Sequence, residues 1–351
     1  MSNKIIVPGL CLCLLLSSFT FLISSCRHNP KKIDVSGIKL EARVLRLDRD
    51  FYELSGNNAK EQVKAMQKKY GDFFQLFVGH PNFLNYNYAR LDSLGTLADS
   101  LLYYRHDPVV QMIFDTTENH YKNFKPIEEE MTNALRHYHY YYPSKPVPVF
   151  IPMLVPVLQG NHAFTYEDNI ISANLFYYLG ANCSFYQQGA DPEPRFLVWK
   201  YTPAFLVPDC MNALAQLFVE RNRNPRCIDD MIWKGKIKYF ASCMMPDAPD
   251  SVILGFHEKQ LESCELFEDK IFQYYIQHKL LYSTDALEYD KLLNDAPNTS
   301  DMPIEIPGNT GTWLGYRIVS KFMKENPQVT LQQLMTMTNG QEILEKGKYR
   351  P

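Results

Sequence analysis

The chain has 351 residues, 46% of them hydrophobic, and its 36 basic against 39 acidic side chains give a formal charge of −3. That balance carries neither the basic footprint of a nucleic-acid binder nor an acidic tail. The length allows one large domain or two modest ones around a sizeable core.

Residues 1–25 have the form of a leader. Lys4 supplies a positive start, Ile5 to Leu22 is apolar with interruptions at Pro8, Gly9, Ser17 and Ser18, and Ser24-Ser25 places small residues before Cys26. This is the pattern of a bacterial lipoprotein signal peptide, and the apolar run is short for a membrane span. Cys26 becomes the lipidated first residue, and its acyl chains, palmitate among them, contribute about 0.8 kcal/mol of membrane partitioning per CH₂. Residues 26–34 then form a tether, and 35–351 a single domain with an α+β half (35–200) and a helical half (201–351).

Of the remaining cysteines, Cys183, Cys210, Cys227, Cys243 and Cys264, the odd number and irregular spacing make a poor disulfide framework. A bridge among Cys210, Cys227 and Cys243 is the alternative to small buried side chains.

From Val35 to Leu47 apolar and polar residues alternate, with Ile38, Leu40, Ala42 and Val44 on one face, which predicts a strand. Helical spacing follows through Leu54, Val63, Met66, Tyr70 and Phe74, up to a turn at Gly79-His80-Pro81. Residues 86–113 read as two helices divided at His106-Asp107-Pro108. Thr116 or Thr117 is placed to cap the next helix, which turns Met131, Leu135 and Tyr138 inward and stops before Pro143. The segments VPVFIP and LVPVL predict short edge strands, with a further one at Ile170 to Ala173. After a polar loop, GADPEPRF, helices are predicted at 204–221, 225–243, 258–281, 286–293, 312–325 and 331–337, with Trp233-Lys234-Gly235 read as a turn. The expected class is α+β, mostly α-helical, with a small N-terminal β-sheet and a helical C-terminal half.

The stretch from Phe205 to Phe240 has the layout of a helix pair that carries metal ligands in many peptidases, yet no histidine occurs between His162 and His257. His137-Tyr138-His139 is the one close histidine pair. Two residues apart on a helix, they point to different faces and share an ion only if the helix has ended. His257-Glu258 begins like a zinc-peptidase signature and fails at Leu261, which cannot ligate. Asp229-Asp230 and the loop Asp247 to Asp250 suit caps and turns, with weak cation attraction as the alternative. No phosphate loop, nucleophile elbow or Cys-x-x-Cys pair appears, so no catalytic residue, metal site or cofactor is assigned.

Asn309 to Pro327 (NTGTWLGYRIVSKFMKENP), the terminal Lys348-Tyr349-Arg350-Pro351, Arg46 to Phe51, His137 to Pro143, Met231 to Tyr239 and Leu280 to Ser283 together resemble the gliding-motility lipoprotein GldB family of Bacteroidetes, in order along the chain. The resemblance implies a membrane-anchored envelope lipoprotein whose partners are components of gliding or type IX secretion machinery. Such lipoproteins carry an acidic signal after the cysteine when surface-displayed. Here Arg27 to Lys32 is basic, and position 27 lacks the Asp of inner-membrane retention. The implied address is therefore the periplasmic face of the outer membrane.

A more distant resemblance is to gluzincin-type zinc peptidases, and it implies a degenerate zincin-like fold. Met211 and Asn212 stand on the helix that would hold ligands, and Lys234, before Gly235, stands where the third ligand would be. A protonated lysine has no lone pair for zinc. The leading expectation is a non-enzymatic scaffold or binding component. The alternatives are a pseudo-peptidase or hydrolase that binds peptide or glycan in a retained cleft, with Trp233, Trp199 or Trp313 as a platform, and a metal enzyme using His137, His139 and distant ligands.

Overall fold

A computed structural model describes residues 31–79, 94–156, 158, 160–187, 192–299 and 302–351. The leader, Cys26, most of the turn at 79–81, the helix start expected at 86–93 and part of the loop after Tyr186 lie outside the described residues.

The N-terminal half opens with α1 (Leu47–Tyr52), α2 (Ala59–Tyr70), α3 (Asp72–Gly79), α4 (Leu94–Arg105), α5 (Pro108–His120) and α6 (Lys125–Tyr141). Pro108 sits in the first turn of α5, where its missing N–H costs nothing, and the Asp107 carboxylate accepts from Val109 N at 2.9 Å and Val110 N at 3.1 Å. Thr116 and Thr117 are therefore not caps. They lie inside α5 and donate back to the Met112 and Ile113 carbonyls, each at 2.8 Å. In α6, Ile127, Met131, Leu135 and Tyr138 form the buried stripe.

Three strands follow: β1 (Val149–Met153), β2 (Ala163–Tyr166) and β3 (Ile170–Asn174), in the order β1-β3-β2. β1 is parallel to β3 and β2 antiparallel to it. The strand predicted at 35–47 is reduced to a single bridge, Val44 to Phe150. Phe150 N donates to Arg43 O and Leu45 N to Phe150 O, each at 2.9 Å. The next rung would need an N–H from Pro152, which has none, so the ladder stops. Leu154 to Pro156, the described start of LVPVL, is not a strand either. The Asn174 side chain instead accepts from Val155 N (3.0 Å) and donates to Val155 O (2.9 Å), closing that backbone.

The C-terminal half comprises α7 (Arg195–Val198), α8 (Leu206–Ala215), α9 (Cys227–Met244), α10 (Asp250–Leu254), α11 (Glu258–Leu266), α12 (Glu268–Gln277), α13 (Ala286–Leu293), α14 (Thr310–Glu325), α15 (Leu331–Thr336) and α16 (Gly340–Lys346). The helix predicted at 258–281 is thus two helices meeting at Phe267, and the one predicted to reach Arg221 ends at Ala215. With 58% of residues helical and one small sheet among the described residues, the fold is α+β and mostly α.

α9 is the axis of the molecule. α6, α8, α14 and α16 pack around it, and along its length only Trp233, Lys234 and Lys238 escape full burial. Trp233 to Gly235 is not a turn but the middle of this helix, and Gly235 is where α14 crosses it. A Cβ on Gly235 would lie 2.2 Å from the Gly315 carbonyl carbon, and one on Gly315 would lie 1.8 Å from Met231 O. Only two glycines allow the backbones to come this close.

The N-terminal end of α9 is tied down by its two aspartates. Asp229 accepts from Arg226 N (3.0 Å), from the Arg226 guanidinium and from Gly340 N (2.8 Å). Asp230 takes the Arg221 guanidinium at 2.8 and 3.0 Å and the Tyr289 hydroxyl at 3.1 Å. Both carboxylates are thus spent on structure. Cys183, Cys210, Cys227, Cys243 and Cys264 are free thiols, with Cys183 half-buried and the others buried. The buried apolar residues from Leu47 to Ile343 join into one contiguous core.

Candidate functional site

Where α8 lies against α9 and the end of β2, polar side chains from separate parts of the chain converge. Asp209, in the first turn of α8, faces His162, the residue just ahead of β2. His162 Nδ1 is 3.5 Å from Asp209 Oδ2, and the Tyr178 hydroxyl donates to the same oxygen at 3.0 Å. The imidazole is held by aromatic rings: stacked on Tyr177 at 4.0 Å, with Tyr201 and Tyr178 edge-on at 5.2 and 6.3 Å. Its backbone is fixed too, since His162 O accepts from Asn174 N at 2.9 Å.

The opposite wall is basic. Lys234 and Lys238 are one turn apart on α9 and share a face. Lys234 donates to the Leu293 carbonyl and, at 2.9 Å, to Asn294 Oδ1. Lys238 lies in the fields of Asp209 and Asp295. Asp295 itself is paired with Lys200 at 2.5 Å and accepts from Asn309 Nδ2 at 3.2 Å. Beyond this pair opens a small pocket of about 80 Å³ whose wall includes Arg195, Phe196, Trp199, Lys200, His257 and Asp295.

These groups hold one another's charge states. Burial pushes the Asp209 carboxyl up, but the His162 contact, the Lys238 ammonium and the Tyr178 hydroxyl more than offset it, and it stays below the usual carboxylate range. Asp295 behaves alike, with burial overcome chiefly by Lys200. Burial holds Lys238 below the ordinary lysine range against the pull of Asp209 and Asp295, and Lys200 and Lys234 add repulsion. The Tyr178 hydroxyl, buried beside Asp209, is pushed far up and stays a donor.

The residues singled out from the sequence divide between this cleft and the core. Asn212 lies one turn from Asp209 on the same side of α8, and its buried Oδ1 has no hydrogen-bond partner. Lys234 shares the cleft face of α9 with Lys238. Met211 and Gly235 are buried, Met211 in the core and Gly235 in the crossing with α14. As platforms the tryptophans are poorly placed: Trp313 is fully buried, Trp233 has the Arg221 guanidinium 5.0 Å above its ring, and Trp199 has one face covered by His257 at 3.8 Å. His137 is buried and bonded to Asn133 O at 2.9 Å. His139 points elsewhere on the same unbroken helix, its buried Nδ1 without a hydrogen-bond partner. The two cannot meet at one ion.

Asp209, His162, Lys200, Lys238 and Asp295 were missed as a set. No spacing rule links them, and in the sequence His162 stands out only as the last histidine before a long gap.

Among the described residues no three His, Cys, Asp or Glu side chains gather as a ligand set for a metal ion, and no helix is long and apolar enough to cross a membrane. Comparison with family profiles matches residues 28–351 to the gliding motility protein GldB, a family designated as lipoproteins. The chain belongs to the GldB family. Membership makes it a gliding-motility-associated protein, and the lipoprotein designation points to membrane anchoring. No curated protein and no solved structure matches the chain. For this GldB chain, then, the cleft is described by its own residues alone.

Proposed function

We propose that this GldB-family chain is a lipid-anchored, periplasm-facing and non-enzymatic binding component of gliding-motility or type IX secretion-related envelope machinery, and that it holds a peptide or glycan segment in the α8–α9 cleft. One observation carries the reading: polar groups from separate chain segments converge there, and among the described residues the buried Asn212 Oδ1 has no hydrogen-bond partner, while the Lys238 ammonium lies in the fields of Asp209 and Asp295. Idle buried polar groups cost stability, and a ligand that pairs with them recovers that cost. The fit of a peptide or glycan is chemical: both present donors and acceptors together, as a cleft with acids and bases on facing walls requires.

A second reading is favoured by the His162–Asp209 contact. An imidazole oriented by a carboxylate is the arrangement of a general base, and it makes the cleft that of a hydrolase.

The test is photocrosslinking in the native envelope from a benzophenone amino acid at Phe196, on the pocket wall. An adduct with an envelope peptide or glycan that disappears in Lys238→Ala supports the binding reading. No adduct from position 196, with adducts from the outer surface, refutes it. Turnover of the captured molecule that requires His162 moves the protein to the hydrolase reading.

A further inference from the structure

Lys31, in the tether, is not loose on the surface. Its ammonium donates to Ser242 Oγ at 2.8 Å and to the Tyr316 hydroxyl at 2.9 Å, and it sits 4.5 Å from the Tyr239 ring centroid and 4.8 Å from that of Tyr316. Ser242 and Tyr239 are in the last turns of α9, and Tyr316 is on α14. Two hydroxyls and two aromatic faces around one ammonium form a specific seat for a cation. Tyr316 is itself oriented by Asp250, whose Oδ1 accepts from its hydroxyl at 3.3 Å. Next in the chain, Lys32 pairs with Asp247 at 2.5 Å, and Val35 is buried. The Lys32 pair is exposed and adds little; the Lys31 seat and Val35 do the holding.

From these contacts we infer that the tether is docked and that the docking orients the body on the bilayer, with the C-terminal end of α9 toward the lipid surface and its N-terminal end away from it. The inference rests on the proposed lipid at Cys26. Cys26 precedes Lys31 by five residues, so even a fully extended chain leaves the lipid within about 18 Å of the seat. The other end of α9 is marked by Asp230, bonded to Tyr289 of α13. From Asp230 to Ser242 the helix rises by about 18 Å. Without the seat, the first held residue would be Val35, nine residues from Cys26, and up to about 32 Å of chain would separate it from the lipid. With it, one end of the central helix is held near the membrane, while α13 and the segment leading into it face the periplasmic space.

The experiment uses the lipidated full chain, purified from membranes and reconstituted on phosphatidylethanolamine/phosphatidylglycerol vesicles that carry a headgroup quencher. A dye is coupled at Pro249→Cys, beside the seat, or at Leu287→Cys, on α13, each in a Cys183→Ser background. Flotation with the vesicles, stronger quenching at 249 than at 287, and loss of that difference in Lys31→Ala are the expected results, with Tyr316→Phe giving a partial loss. Flotation with equal quenching at both sites overturns the orientation and leaves the anchor standing. Failure to float overturns the anchor and the orientation with it. Lys31 is peripheral to the core, and flotation of Lys31→Ala with unchanged circular dichroism separates a lost seat from a lost fold.

Discussion

Gly235 of α9 and Gly315 of α14 face each other where the two helices cross, with no side chain between the two backbones. The crossing sets the position of α14 on α9, and through α9 the direction in which Lys234 and Lys238 face.

Gly235→Ala is therefore expected to destabilise the protein by roughly 3 kcal/mol or to prevent folding, since backbone rather than a movable side chain blocks the added methyl. Gly315→Ala should do the same. Urea unfolding of each variant and of the pair tests this, and the double variant should fall short of the sum because one separation of the helices relieves both clashes.

The acid response follows from Asp229. Burial raises its carboxyl, but Arg226 and the Gly340 N–H more than compensate and hold it below the usual range. A folded value below the unfolded one, about 3.9 for aspartate, gives stability that is complete above that pH and is lost as pH falls toward the folded value. Asp48, which burial pushes up despite its bond to Arg46, works in the opposite sense. The comparison is therefore between variants: Asp229→Asn should be less stable at neutral pH and lose less on acidification than the parent, as measured by denaturation midpoints across the acid range.

In the cleft, His162→Phe keeps the stacking on Tyr177 but removes the group that does most to lower Asp209. The Asp209 carboxyl should then titrate at higher pH, visible in a carboxyl-detected NMR titration. An unmoved Asp209 would show that Lys238 and Tyr178 hold it without the imidazole.

Lys238→Met exchanges an ammonium that burial disfavours for an apolar chain of similar length. Stability should stay within about 1 kcal/mol of the parent or rise, while crosslinking from position 196 is lost. A large thermal destabilisation instead would make Lys238 a structural residue.

What the sequence disclosed depended on whether a signal was local. α13 was legible to the residue because its apolar spacing and its cap agree, the Asp285 carboxylate accepting from Leu287 N at 3.0 Å, and the bounds of α9 were legible within two residues. β2 was not, since Ala163 to Tyr166 are all half-buried and show no alternation. The strand expected before Leu47 had the right alternation, but Pro152, more than a hundred positions away, decides that it cannot pair further. In the sequence Gly235 reads as a turn because a glycine after Trp-Lys suggests one, and only the presence of Gly315 opposite it explains the residue. The same holds for the cleft. Asn212 and Lys234 were reached through a resemblance, whereas the His162–Asp209 pair exists only once β2 is laid beside α8.

The last turns of the chain complete its centre. Gly340 N reaches back 111 positions to Asp229, and Lys236, which burial pushes down to about 8, donates to the carbonyls of Met335 and Met337 near the terminus. α9 therefore lacks these particular partners until residues 335–340 have been synthesised and delivered. Because these long-range contacts close late, the packing around α9 is completed only after most of the chain has emerged. That is the condition in which a chain can be threaded across a membrane before it sets.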